Sequence, residues 1–205
     1  MSIQKTLEDT TGQIIDLHCV YEWIKAENNR KNTLLLMKLP LTAKQISSKL
    51  HIKPSTCSHI LKDFTTKNLT SCLNPTAKNS RLYYLTTLGK HCQDMLCHEL
   101  QKTIKDFPLP DTNWNLYGWL CFNHRSAIAK IINEPMQPSQ IKRQLYRRNP
   151  DINISANNIR DIIKLFEKRD IVEKVYLKKK AHPRYKLTDI GKQLQELLKK
   201  EKACY

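Results

Sequence analysis

Residues 82–96, LYYLTTLGKHCQDML, return as RYKLTDIGKQLQELL at residues 184–198, a self-similarity that predicts one supersecondary unit used twice. Laid over residues 154–200 without a gap, residues 52–98 share twelve identities. Ile52, Ile60, Phe64, Tyr83, Gly89 and Gln93 are among those that meet their own kind 102 positions later. Upstream the offset becomes 95, where Arg30, Pro40, Gln45, Ile46 and Leu50 meet Arg125, Pro135, Gln140, Ile141 and Leu145. The second copy therefore carries seven extra residues between Leu145 and Ile154. The Asn149-Pro150-Asp151 chemistry there places them in a loop. Tyr21-x-Trp23-Ile24 is echoed by Tyr117-x-Trp119-Leu120, which adds one helix in front of each unit. The organisation expected is a first domain over 1–107 with an N-terminal helix, a linker over 108–113, and a second domain over 114–205. Phe107-Pro-Leu-Pro-Asp111 leads into that linker and stiffens it.

Each copy holds the signals of a small mainly helical (α+β) domain. Arg30 to Leu39 reads as a short helix ended by Pro40. Thr42-Ala-Lys-Gln45 is a capping box that opens a second helix through Leu50. In the other copy Ser126 to Asn133 is stopped by Glu134-Pro135, and Pro138 suits a first helical residue. A third helix runs over 54–67 and over 156–169, the latter with Ser155 as N-cap. Cys57, Ile60, Leu61 and Phe64, like Ile159, Ile162, Ile163 and Phe166, fall on one face, and the opposite face is polar. Asn68 and Asp170 follow where the chain needs the left-handed conformation. Strands are expected at 69–73 and 171–177, with return strands at 81–85 and 184–187. Thr86 and Thr188 then cap a closing helix.

Charge is the second constraint. Lys and Arg number 35 against 19 Asp and Glu, a formal net charge of +16. The excess is shared, with 15 basic against 9 acidic residues in 1–107 and 20 against 10 in 108–205. Such a surface attracts polyanions, with nucleic acid first and an acidic membrane or protein behind it. No apolar run approaches the roughly 18 residues of a membrane span. MSIQKTLEDTTGQIIDL lacks a secretory signal, so the seven cysteines are expected as thiols in a reducing compartment, cytoplasmic (nucleoid-associated) or nuclear in a eukaryote. Four glycines leave no phosphate-cradling loop, and neither a zinc-hydrolase pair nor a nucleophile elbow occurs. These residues point away from an enzyme and ask for no cofactor.

Helix, helix, turn, helix, two-stranded hairpin, helix is the order of a winged helix-turn-helix domain. Residues 52–69 and 83–90, and again 154–174 and 185–192, resemble the recognition helix and the wing-to-helix junction of MarR-type transcription regulators. The resemblance covers about three quarters of the chain and specifies the domain type better than the family. It implies two tandem winged helix-turn-helix domains, each a three-helix core with a β-hairpin wing and a closing helix, on double-stranded DNA. The chain departs from that family in carrying two winged domains, so an internal pseudo-dimer can replace the usual homodimer. The glycine commonly found after the recognition helix is Asn68 or Asp170 here.

On that reading the outer helix faces, Ser55, Thr56, Ser58, His59 and Lys62 in one copy and Asn157, Asn158, Arg160 and Lys164 in the other, read base edges. Lys78 and Arg81 in one wing, and Lys178, Lys179, Lys180, His182 and Arg184 in the other, neutralise phosphates. The two faces differ in nearly every polar residue, so an asymmetric site with two unlike halves is expected. His91-Cys92-x4-Cys97-His98 has none of the spacing of a compact zinc site, and the other copy lacks all four. Tyr21, Trp23, Trp114, Tyr117, Trp119 and Phe122 read as packing residues. Three function classes stand: a sequence-specific transcription regulator, a replication or plasmid-maintenance initiator, and a protein-binding adaptor of transcription machinery.

Overall fold

The computed structural model describes residues 6–8, 14–103, 108–122, 124–176 and 182–203 of the chain. It is mainly helical with small antiparallel sheets, an α+β architecture. Two compact units divide it between Gly118 and Trp119.

Unit 1 opens with β1 (Thr6–Glu8) paired to β2 (Ile14–Asp16), a hairpin with no counterpart among the described residues of the second repeat. α1 (Leu17–Lys25) starts on the Asp16 carboxylate, which accepts the Cys19 N–H. Then come α2 (Asn28–Leu36), β3 (Leu41–Thr42), α3 (Ala43–Leu50), α4 (Pro54–Thr66), β4 (Thr70–Cys72), β5 (Leu82–Leu85) and α5 (Thr87–Glu99). Unit 2 contributes α7 (His124–Ile131), α8 (Pro138–Arg148), α9 (Ala156–Lys168), β6 (Val172–Val175), β7 (Arg184–Leu187) and α10 (Asp189–Ala203). The division falls inside α6 (Trp114–Leu120), several residues past the linker expected at 108–113. The reason is close approach: any side chain at Gly118 would collide with Asn74 and the Ser80 carbonyl of unit 1.

The repeat is visible bond by bond. Thr42 caps α3 with the expected box, its hydroxyl accepting from Gln45 N–H while its own N–H donates to the Gln45 side chain. In the other copy the Gln137 N–H donates to the Gln140 side chain at 2.8 Å, and Pro138 opens α8. Asn68 and Asp170 take φ of 57° and 56°. Their carbonyls accept the hydroxyls of Thr86 and Thr188 at 2.5 and 2.6 Å, and those same oxygens cap α5 and α10 through Gly89 and Gly191 N–H. Leu41 pairs with Tyr83 in a three-stranded sheet of order β3-β5-β4. At the matching place Met136 bridges Tyr185 beside the β6-β7 hairpin.

Helices α2 and α7 stop earlier than the prolines suggested, at Leu36 and Ile131 instead of Leu39 and Asn133, and begin two residues earlier than expected. In both units a buried glutamine on the closing helix ends them. Gln93 Nε2 donates to the Leu34 and Met37 carbonyls, and Gln195 Nε2 to those of Ala129 and Ile132. Carbonyls that a further turn would have used are satisfied from outside, so the helix need not run on. The seven-residue insertion is only partly loop: α8 runs three residues beyond the position matching Leu50 before Asn149 ends it.

The core of unit 1 gathers Leu17, Ile24, Leu34, Ile46, Leu61 and Phe64. In unit 2, Ile141, Ile159, Ile163, Phe166 and Leu194 are buried likewise, whereas Ile162, expected inside, is half-buried at the edge of a surface groove. Trp23 meets Phe64 edge-on at 6.0 Å, and Trp119 meets Phe166 at the same distance and the same 65°. Each indole also carries two cations. Arg30 and Lys67 lie 4.1 and 4.8 Å from Trp23, and Arg125 and Arg169 lie 4.0 and 4.3 Å from Trp119.

Candidate nucleic-acid interface

Helices α4 and α9 are amphipathic, so burying one face fixes what the other presents. Cys57, Ile60, Leu61 and Phe64 point α4 into its core, which leaves Ser55, Ser58, His59 and Lys62 exposed and Thr56 half-buried. The Ser58 hydroxyl donates to the Pro54 carbonyl at 2.9 Å, so its proton is in use, though its oxygen can still accept. Ile159, Ile163 and Phe166 do the same for α9, leaving Asn157, Asn158, Arg160 and Lys164 exposed. Asn157 Oδ1 accepts from Arg160 at 2.9 Å, and Lys164 lies 3.8 Å from Asp161. Both are exposed interactions worth little in water, so a ligand can displace them cheaply.

Arg160 and Lys164 share one open groove with His182, which precedes β7. Gln137, Pro138 and Ser139 at the start of α8 form another wall of this space of about 370 Å³. The capping pattern at 137–140 was the sequence signal that could have placed those three residues at the site. Arg184 is half-buried on β7, and its guanidinium donates to the Pro135 carbonyl at 3.4 Å. It ties the hairpin to the segment ahead of α8. Lys178, Lys179 and Lys180 lie outside the described residues.

The corresponding hairpin of unit 1 is built differently. Asn74 is fully buried at its tip: its amide donates to the Ser80 carbonyl and its oxygen accepts from Leu82 N–H at 2.7 Å. Thr76 reaches Asn115 of α6, and Gly118 of the same helix approaches this tip. Lys78 and Arg81 remain exposed, with Arg81 Nε donating to the Ala77 carbonyl at 3.1 Å. This tip is therefore a supported loop, and its two cations point outward from it.

His91 and His98 are exposed while Cys92 and Cys97 are buried, so the four side chains do not converge. Burial pushes the Cys92 thiol up to about 12 and the Cys57 thiol up to about 11. Among the described residues no three His, Cys, Asp or Glu side chains come together as metal ligands, and no helix is long and apolar enough to cross a membrane. Comparison with protein-family models, curated proteins and solved structures finds no match to this chain.

Proposed function

We propose that each compact unit is a winged helix-turn-helix domain and that the chain is a sequence-specific double-stranded DNA-binding protein acting as a transcription regulator. The observation that carries this reading is the groove of unit 2. There the outward face of α9 and the residue entering β7 put Arg160, Lys164 and His182 on one open surface, in a chain of net charge +16.

The major groove of B-DNA admits one α-helix, whose outer side chains meet a donor and acceptor pattern distinct for every base pair. Arg160 suits the two acceptors of guanine, and Asn157 or Asn158 suits adenine. Ser55, Thr56, Ser58 and His59 give α4 shorter readers, with Lys62 beside them. Lys78, Arg81, His182 and the run 178–180 supply charge to phosphates, and Arg184 holds its hairpin in place for them. If about eight phosphates are neutralised, the logarithm of the binding constant falls with the logarithm of salt at a slope near −7. Anisotropy titration of a labelled random-sequence duplex at rising salt measures that slope, and an affinity indifferent to salt would overturn the reading.

A further inference from the structure

Helix α8 carries an exposed basic stripe that neither the wing nor the outer face of α9 accounts for. Ser139, Arg143 and Arg147 recur at four-residue intervals and are all exposed, with Arg148 beside the last of them. Ser139 lines the groove of Arg160, Lys164 and His182, so the stripe starts at that site and runs along the helix away from it. At 1.5 Å per residue, Ser139 to Arg147 covers about 12 Å. That is the axial rise of three to four phosphates on one strand at about 3.4 Å each.

Two comparisons argue that this stripe binds something. Within the molecule, the positions on α3 that match Ser139 and Arg143 are Lys44 and Ser48, so the line that carries arginines in unit 2 holds a single lysine in unit 1. Arg147 and Arg148 belong to the insertion itself, which extends α8 where unit 1 has already turned. Within unit 2, some cations are matched to carboxylates, as Lys174 is to Glu167 and Lys186 to Glu173, each at 2.9 Å. Among the described residues Arg143, Arg147 and Arg148 have no acidic partner within 4.0 Å. Cations in the last turn of a helix offset its dipole, but Arg143 sits too far back for that.

We infer that the α8 stripe of unit 2 is a second polyanion contact, a track for the phosphates of one DNA strand leading away from the α9 groove. This rests on the DNA-binding reading above and deepens it. Unit 2 becomes the electrostatic anchor of the chain, gripping backbone beyond the bases it reads. Phosphate contacts of this kind act without regard to sequence, so they raise affinity for every duplex alike.

The test uses the full chain and a labelled duplex of random sequence, with the salt slope measured for three proteins. Replacing Arg143, Arg147 and Arg148 by Gln is expected to make the slope shallower by about 2 to 3 units, and the same three changed to Lys to restore it, because a point charge suffices. A purely structural role for these exposed residues would leave the slope alone and move only the melting temperature. If the unmodified chain binds with a steep salt slope and the Gln variant keeps it, the stripe is no phosphate track and the α9 reading survives. If the unmodified chain shows no salt-dependent binding, both fall together.

Discussion

At the residue scale, the sharpest constraints sit where backbone meets backbone. A Cβ at Gly89 or Gly191 would land inside the van der Waals shell of the Leu69 or Ile171 carbonyl oxygen, the same oxygens that accept from Thr86 and Thr188 N–H. Gly89→Ala and Gly191→Ala are each expected to cost about 1–3 kcal/mol, the range for forced overpacking, read from urea unfolding. An unchanged midpoint would mean that the closing helix does not seat there. Two buried thiols give a pH signature. Burial raises Cys57 from 9.0 to about 11 and Cys92 to about 12, so the folded chain holds these protons more tightly than the unfolded one. Their contribution is complete below pH 9 and is lost as pH climbs toward those values. The unfolding free energy of the wild type should drop over that interval more steeply than that of a Cys57→Ala, Cys92→Ala variant. Under the proposed DNA-binding function, Arg160 bears on specificity instead. Arg160→Ala should lose about 1–3 kcal/mol of duplex affinity and relax preference at one base position, with the salt slope reduced by no more than about one unit.

At the element scale, the two units solve one problem with unequal skill. The N-terminus of α9 is capped by Ser155, whose hydroxyl accepts Asn158 N–H at 3.1 Å, while Lys53 at the matching place before α4 offers no side-chain acceptor. Lys53→Ser should stabilise the first turn of α4 by about 1 kcal/mol, slowing amide exchange there roughly fivefold. Ser155→Lys should do the reverse to α9. The capping box at Thr42, the left-handed Asn68 and Asp170 and the Thr86 and Thr188 caps were legible in the sequence because each depends on residues a few positions apart. The ends of α2 and α7 were not. They are set by Gln93 and Gln195, which reach carbonyls more than fifty residues away along the chain. The helical start of the insertion was hidden for a different reason: Asn149-Pro150-Asp151 signals a turn and says nothing of how far the preceding helix runs. Among the candidate contacts, exposure of the α4 and α9 faces followed from helical spacing. The tie between Arg184 and the Pro135 carbonyl, and the burial of Asn74, required the folded hairpins.

At the scale of the whole molecule, one unit has been used twice and then made unequal. The cation pair on Trp23 is accompanied by Glu27, 3.0 Å from Arg30, whereas Phe122 lies against Arg125 in the other copy. Burial, with Arg169 nearby, holds the Arg125 guanidinium below its usual value. Polar faces diverge further still, with serine, threonine and histidine on α4 and asparagine and arginine on α9. A chain built this way should prefer a site whose halves are unlike. Selection of bound duplexes from a random-sequence pool, carried out with the full chain, measures this most directly. The account predicts enrichment of an asymmetric motif in which the half containing guanine loses its preference when Arg160 is replaced by Ala. A pool that enriches nothing, or that yields a perfect inverted repeat unaffected by that substitution, would contradict it.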